Sequence, residues 1–459
     1  MKLFRALILF SSFASLRSLL RISTRFAVLA VSLCSAVIPH LSFSAQPDSA
    51  KAPTDRANLI WIMADDLGYA DLGCYGQKVI TTPHIDRMAA EGMRFTHFYA
   101  GATVCAPSRS VLMTGLHHGH TRVRGNSGQT NPAAQALKPG DVTVAGVLQK
   151  AGYKTALIGK WGLGNVGAAE SGLPRKHGFD YFYGYLSQHH AHNHFPDYLW
   201  RNESKEPLSN IIVPVGEDGA GYATEAIHYA DDLFADDALK FVSENKAQPF
   251  FLYWSMVIPH ANNERGKILG DGAHVPDFGP YADKDWPKQD KGQAAMITRL
   301  DSYVGRMMAH LKTLGLAENT LIVFTSDNGP HNESKHDLER FNPNGPYTGI
   351  KRSLTDGGIR VPVLTGKEQL KHDFLYWEFH EGGFKQAALY QSRWKGIRSG
   401  GPDAPVHLFD QQNDVAELTN VAEKHPDIAE KIGTYLKTAR SPLAEWEPQW
   451  KAGGKKSKK

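Results

Sequence analysis

The sequence predicts an α/β fold: a doubly wound, mostly parallel sheet flanked by helices, with a smaller α+β domain at the C-terminal end. Three observations predict it. Short apolar runs recur along the chain, helix-like stretches separate them, and ionisable residues follow the ends of four runs.

The runs are NLIWIM (58–63), TALIG (155–159), PFFLYWSMV (249–257) and TLIVFTS (320–326). They are continuous rather than alternating, as expected of strands covered on both faces. Helical texture occupies 84–91, 143–151, 231–245 and 291–315. In the last of these, Met296, Leu300, Val304, Met307, Met308 and Leu311 recur at spacings of one, three and four and form one apolar stripe. Strands alternating with helices build a parallel sheet with helices on both sides. After residue 366 the texture changes. FLYWEFH, QAALYQSRWKGIRS and VHLFD read as short antiparallel strands, and a helix follows over 425–439. The boundaries that follow are 46–366 for the larger domain, 367–446 for the smaller, and 447–459 for a flexible lysine-rich tail.

Residues 1–45 read as a secretory signal rather than as fold. Lys2, Arg5, Arg17, Arg21 and Arg25 precede an apolar run from Phe26 to Ile38, and the small residues Ser42, Ser44 and Ala45 follow. The run is short for a membrane span, and no later stretch reaches spanning length, so no stable membrane span is expected. A retained N-terminal anchor is the alternative. Secretion or export to a periplasm is the expectation. Residues 1–45 carry five basic side chains and no acidic one, which takes the formal charge from +4 to −1. The mature chain therefore has no electrostatic case for a nucleic-acid partner. Cys34 falls in the signal, leaving only Cys74 and Cys105, too few for a disulfide framework in a large exported protein.

In an open α/β sheet, functional groups gather at the carboxyl ends of the strands. Asp65 and Asp66 follow the first run, Lys160 the second, His260 the third, and Asp327 and Asn328 the fourth. Asp65, Asp66, Asp327 and Asn328 form an all-oxygen donor set suited to Ca²⁺ or Mg²⁺. Read alone, Asp-Asp-Leu-Gly after a strand is more often a turn or helix cap; the second such end, SDNG, brings the metal reading level with it.

The segment Cys105-Ala106-Pro107-Ser108-Arg109, followed by Thr114-Gly115, resembles the signature of the type I sulfatases of the alkaline-phosphatase-like superfamily. The resemblance extends through MADDLGYADLGCYG, TPHIDRMAAEGMRF, VCAPSRSVLMTG, GKWGLG, PFFLYWSMVIPHA, FTSDNGP and DGGIRVP. It implies that Cys105 is oxidised to formylglycine by a maturation system. The aldehyde hydrate then carries two hydroxyls on one carbon: one attacks sulfur, and loss of the second proton expels sulfate and restores the aldehyde. By the same resemblance Asp65, Asp66, Asp327 and Asn328 bind the metal, and residue 105 completes its shell. Arg109 braces the hydrate, Lys160 and Lys351 hold sulfate oxygens, and His260 protonates the leaving alcohol.

The chain departs from the family at two places. Many relatives have Gly-Lys-Trp-His-Leu-Gly where this chain has Gly162 after Trp161, so the histidine that contacts the hydrate is absent. The run His189 to His194 offers a replacement, with His190 and His192 as candidate substrate-binding or proton-accepting residues. The second departure is a stretch of at least ~30 residues, the size of a βαβ unit, that is missing after Val363. Its loss should uncover apolar sheet surface.

The function expected is hydrolysis of a sulfate ester, with a sulfated carbohydrate or small molecule as substrate. Trp161, Tyr181, Tyr183, Tyr185, Tyr198 and Trp200 are candidates to stack on a sugar ring. The alternatives are a phosphodiesterase or phosphonate hydrolase using the same kind of site, and a remnant that binds sulfated glycans without turnover.

Overall fold

The computed structural model describes residues 56–126, 131–216, 218–360, 363–364 and 372–450. The signal at 1–45, the end of the lysine tail and the junction at 365–371, where the missing stretch would begin, lie outside the described residues.

Fifteen strands are described. They are β1 (Asn58–Ala64), β2 (Arg94–Phe95), β3 (Lys154–Lys160), β4 (Tyr181–Tyr185), β5 (Tyr198–Arg201), β6 (Ser204–Pro207), β7 (Ile211–Pro214), β8 (Gly221–Glu225), β9 (Phe250–Ser255), β10 (Thr320–Ser326), β11 (Val363–Leu364), β12 (Phe374–Phe379), β13 (Lys385–Tyr390), β14 (Trp394–Ser399) and β15 (His407–Asp410). Nine form one sheet in the order β2-β11-β10-β1-β9-β3-β4-β5-β6. Its five central strands, β10 to β4, are parallel, and the additions at both edges are antiparallel. All four apolar runs fall among those five strands. Pairing is in step at the carboxyl ends, with Ala64 opposite Ser326 and Met63 opposite Ser255. That alignment brings the following residues together.

The helices that frame the sheet are α1 (Pro83–Glu91), α2 (Cys105–Thr114), α3 (Val144–Lys150), α4 (Ala230–Glu244), α5 (Asn263–Leu269) and α6 (Lys288–Thr313). Ile60, Ile62, Leu252 and Trp254 enter one core with residues of α1, α4 and α6. Met63, Phe251 and Tyr253 enter a second core with residues of α2 and α3. Alternate residues of one strand thus feed opposite faces, as a period of two requires. Each fully buried Leu, Ile or Phe contributes ~1.5–3 kcal/mol. Trp161, Tyr183 and Tyr185 are buried in these cores, which leaves them no face for a sugar, whereas Trp200 and Tyr198 line a surface pocket with Lys205.

Next to β10 stands only the two-residue β11, which pairs with it at Phe324 and in turn holds β2. Among the described residues, Thr320–Val323 have no neighbour on that side, and Leu321 is exposed.

Strands β12 to β15 form a separate antiparallel sheet in sequence order. One face packs on the helix Pro426–Thr438 through Ile432 and Leu436. The other places Trp377, Phe379, Ala387 and Leu389 against Val104, Leu354 and Ile359. Trp377 Nε1 donates to the Ala100 carbonyl at 2.9 Å. The small sheet therefore supports the backbone leading into Cys105. Lys395 of β14, fully buried, ties it to the larger sheet's loops by an ion pair to Asp356 (2.7 Å) and holds Glu417, from the segment after β15, at 3.1 Å. Lys395→Ala leaves the buried Glu417 without its cation and Asp356 with Arg360 alone, and should destabilise the protein by ~3–5 kcal/mol. Denaturant unfolding followed by tryptophan fluorescence reads this as a lower midpoint; an unchanged midpoint would refute it.

Candidate active site

Four strand ends build the site. β1 runs directly into Asp65 and Asp66, β10 into Asp327 and Asn328, β3 ends on Lys160, and the turn after β9 carries His260. Gly159 lets β3 approach β9 at this level: its φ is +110°, and a Cβ there would stand 1.8 Å from the Ser255 carbonyl oxygen. Asp66, which is not glycine, is also held at positive φ (65°). Its backbone N–H donates to Asp327 Oδ1 at 3.1 Å, and Lys351 takes its side chain. Such conformations cost of order 1–3 kcal/mol and persist where the surroundings enforce them.

Cys105 is the first residue of α2, after an extended Val104. Pro107 fits the first turn, where its missing N–H has no helical partner to lose, and Gly115 ends the helix in the left-handed region. The Cys105 Sγ lies within 4.8 Å of carboxylate oxygens of Asp65 and Asp327. Asn126 accepts from the Ala106 N–H at 3.2 Å and sits beside the sulfur at 3.8 Å. Burial raises the thiol above its ordinary pKa, against the pull of Lys160 and Lys351. As cysteine, residue 105 is therefore a protonated and weak nucleophile at neutral pH.

The three cations of the site are committed to its carboxylates. Arg109 donates from Nε (3.1 Å) and Nη2 (2.8 Å) to Asp327 Oδ2, stands 3.4 Å from Asp65 Oδ2, and reaches the Lys160 carbonyl (2.9 Å) and Ser255 Oγ through Nη1. Lys160 Nζ donates to Asp65 Oδ2. Lys351 Nζ donates to Asp66 Oδ2 (2.7 Å) and Glu333 Oε2 (3.0 Å) and lies 3.0 Å from His260 Nε2. Burial works to raise Asp65, yet Lys160, Arg109 and Lys351 together hold it below the usual carboxylate value. For Asp327 the balance goes the other way: burial and its neighbour Asp65 carry it up to about 7.

His260 Nδ1 faces the Ala261 carbonyl at 2.7 Å, which places the proton on Nδ1 and turns the Nε2 lone pair to Lys351. Burial, with Lys351 and Lys160 nearby, pushes its pKa well below the ordinary imidazole value. His192 stacks on His260, ring centroids 4.9 Å apart and planes 14° apart. His190 is not part of this group. Its ring is buried against Tyr185 and Tyr198.

The space beside Gly162 is filled from another loop. Gly162 has φ +79°, and a Cβ on it would stand 1.8 Å from Gln188 Nε2. Both polar atoms of the Gln188 carboxamide are buried without a hydrogen-bond partner. Gln188, Glu333 and Asn126 were not singled out in the sequence. Gln188 had the faint signal of adjoining the histidine run, whereas Glu333 and Asn126 lie in loops with no distinguishing pattern.

Two further atoms bear on a metal. Asp65 Oδ1 and Asn328 Oδ1 are buried oxygens with no hydrogen-bond partner, although nearly all such atoms in folded proteins are paired. With Asp66 and Asp327 they complete a set of hard oxygen donors without sulfur or imidazole. A hard divalent cation fits that set.

The family model described as "Sulfatase" matches residues 57–373. The steryl-sulfatase of Mus musculus is 31% identical over 403 residues, covering 73% of this chain and 61% of the relative, so the chain spans about six tenths of that protein's length. Among solved structures, Ps i-CgsB in complex with k-i-k-neocarrahexaose superposes with a TM-score of 0.67 at 23% identity, covering 86% of this chain and 94% of the other. BT4656 in complex with its substrate D-glucosamine-2-N,6-O-disulfate superposes at 0.57 and 18% identity, covering 84% and 97%. At these identities the two structures establish a shared fold.

The unpaired oxygens make a prediction that needs no substrate. Ca²⁺ or Mg²⁺ at 100 times its dissociation constant should stabilise the protein by about 2.7 kcal/mol. The thermal midpoint should rise on adding the ion and fall again with chelator, and Asp327→Asn or Asn328→Ala should blunt the response. A wild-type midpoint indifferent to both ions would refute the site as drawn.

Proposed function

The chain belongs to the sulfatase family, and from that premise we propose that it hydrolyses a sulfate ester on a carbohydrate, outside the cytoplasm, using a nucleophile made from Cys105. The observation that carries this reading is the placement of Cys105, in its Cys-Ala-Pro-Ser-Arg setting, at the head of α2 among Asp65, Asp327 and Lys160. A protonated thiol there has little nucleophilic use, whereas an aldehyde in its place would meet cations and carboxylates already arranged. The carbohydrate is supported by BT4656, whose substrate is a sulfated glucosamine. Export is supported by the order of residues 1–45. Among the described residues, no helix is long and apolar enough to cross a membrane.

Converted to formylglycine by a maturation system, residue 105 would supply a hydrate with one hydroxyl to attack sulfur and a second whose deprotonation releases sulfate. Held by Asp65, Asp66, Asp327 and Asn328, Ca²⁺ or Mg²⁺ would supply a Lewis acid that acidifies a hydroxyl and offsets sulfate charge. The remaining work falls to the chain's own side chains. Arg109, its donors spent on Asp327, the Lys160 carbonyl and Ser255, fixes the floor of the site rather than moving with substrate. Lys160 and Lys351, whose ammonium groups now hold Asp65 and Asp66, are the cations that would turn to sulfate oxygens. Lys351 and His260 share a hydrogen bond at 3.0 Å, and a proton from that pair reaches the leaving alcohol. The negative charge of bound sulfate favours a proton on His260, opposing the burial and lysine charge that remove it in the free protein. His192, stacked on His260, would touch the alcohol half of the substrate.

Mass spectrometry of the peptide containing residue 105, from protein matured in a competent host, should find the aldehyde. Cys105→Ala should abolish aryl sulfate turnover, and wild-type protein should prefer an aryl sulfate to an aryl phosphodiester. Fully active protein carrying an unmodified thiol would overturn the reading. His260→Ala should slow hydrolysis of an alkyl sulfate, whose alcohol needs a proton, by ~10²–10⁴-fold. A nitrophenyl sulfate, whose phenolate leaves unaided, should be affected far less. Equal losses on both would remove His260 from the acid's role.

A further inference from the structure

A second set of metal-ligating side chains lies apart from the aspartates. The loop after β4 carries His189 and His192, and the first turn of α5, capped by Asn262, carries Glu264. His189 Nε2 lies 3.0 Å from Glu264 Oε1, and His192 Nδ1 lies 3.1 Å from Glu264 Oε2. Each of the three residues offers a ligating atom, and all three atoms fall within 4.8 Å of one another. We propose that His189, His192 and Glu264 form a binding site for a borderline divalent transition cation of the Zn²⁺ type, separate from the oxygen site.

The donor set sets the choice of ion. Two imidazole nitrogens and one carboxylate match zinc sites that keep a fourth position open, whereas Ca²⁺ and Mg²⁺ call for oxygen alone. The spacing agrees. Bonds of 2.0–2.1 Å in a tetrahedron put ligand atoms about 3.3 Å apart. The two nitrogen–oxygen separations are within a few tenths of that, so small side-chain rotations suffice. Among the described residues, the adjacent Arg265 does not take the carboxylate's charge, since it is bound to Asp271 at 2.6 Å. An ion can also enter: the side chains of His189 and His192 are 17% and 16% exposed, and that of Glu264 is 5% exposed. Each imidazole would ligate through the ring nitrogen that now faces Glu264, and binding needs no oxidant.

Co²⁺ distinguishes this site from the first, because tetrahedral cobalt bound to imidazole absorbs strongly in the visible and cobalt among oxygens alone does so weakly. With the purified full-length protein held in excess Ca²⁺, Co²⁺ titration should develop visible bands that saturate at one equivalent and bleach on adding Zn²⁺. Glu264→Gln, nearly the same shape, should weaken Co²⁺ binding ~10-fold or more, and His189→Ala should remove the bands. Unchanged far-ultraviolet circular dichroism and melting would show that the variants fold. Absence of bands in the wild type, or bands that survive both substitutions, would overturn the proposal. The readout is a spectrum and a stoichiometry, so it stands or falls independently of sulfate ester turnover.

Discussion

The architecture turns on holding several like charges in a place that water does not reach. Asp65, Asp66 and Asp327 arrive on adjacent parallel strands and are fully buried. An isolated carboxylate there would cost several kcal/mol and would take up a proton instead. The structure offsets the charge with Arg109, Lys160 and Lys351, each delivered by a different element. The division is uneven. Asp65 has the larger share of cations and stays ionised, while Asp327 bears the repulsion and rises to about 7. A divalent cation among these oxygens would relieve that repulsion and release the lysines for an incoming anion. The arrangement is a balanced network whose balance the bound state must change.

The small sheet serves the same requirement from outside. A buried charge network tolerates little movement, since its energy depends steeply on distance at low effective dielectric. β12 to β15 clamp the chain at Val104, immediately before Cys105, and at Ile359, after the turn that carries Lys351. A second buried network, Arg360–Asp356–Lys395–Glu417, ties that clamp across the two sheets. Its carboxylates are answered by cations from both sides, which makes the contact specific as well as adhesive. The C-terminal region thus contributes to chemistry by fixing the ends of α2 and of the Lys351 loop.

Much of this was legible in the sequence because the central strands obey one rule. A strand covered on both faces must be apolar throughout, so its end is marked by the first polar residue, and that residue belongs to the cleft. Asp65, Lys160, His260, Asp327 and Asn328 were all found in that way. Edge strands do not obey the rule: β2 and β11 have two residues each, too short to show any period, and the antiparallel edges went unseen. Glu333 and Asn126 are held by loops, where sequence position says little about direction. The histidine run shows the same limit. His190 and His192 are equivalent as text, but a single turn of 3₁₀ helix sends one ring into the core and the other onto His260. Of the aromatic residues offered as a sugar platform, Trp161, Tyr183 and Tyr185 fill the cores beneath the site, for a related reason.

Gly162 looks like a missing side chain in the sequence, but in three dimensions it is one half of an exchange. Its left-handed backbone is open to glycine at little cost, and the volume a Cβ would need is occupied by the Gln188 carboxamide. A residue with a side chain at 162 and a glutamine in this rotamer at 188 exclude each other, so a side chain at 162 requires the Gln188 carboxamide to turn away. The substitution alters chemistry as well as shape. A carboxamide can donate and accept hydrogen bonds but does not take up a proton near neutrality. Gln188, with both polar atoms buried and unpartnered, can therefore orient an anion or a hydroxyl without serving as a base. Whatever accepts the proton that frees the product must be an ionisable group elsewhere in the cleft. The groups assembled there are the Lys351–His260 pair and His192 stacked upon it. On the proposed reading, proton transfer falls to the His260 side of the site, and hydrogen bonding without proton transfer to the Gly162 side.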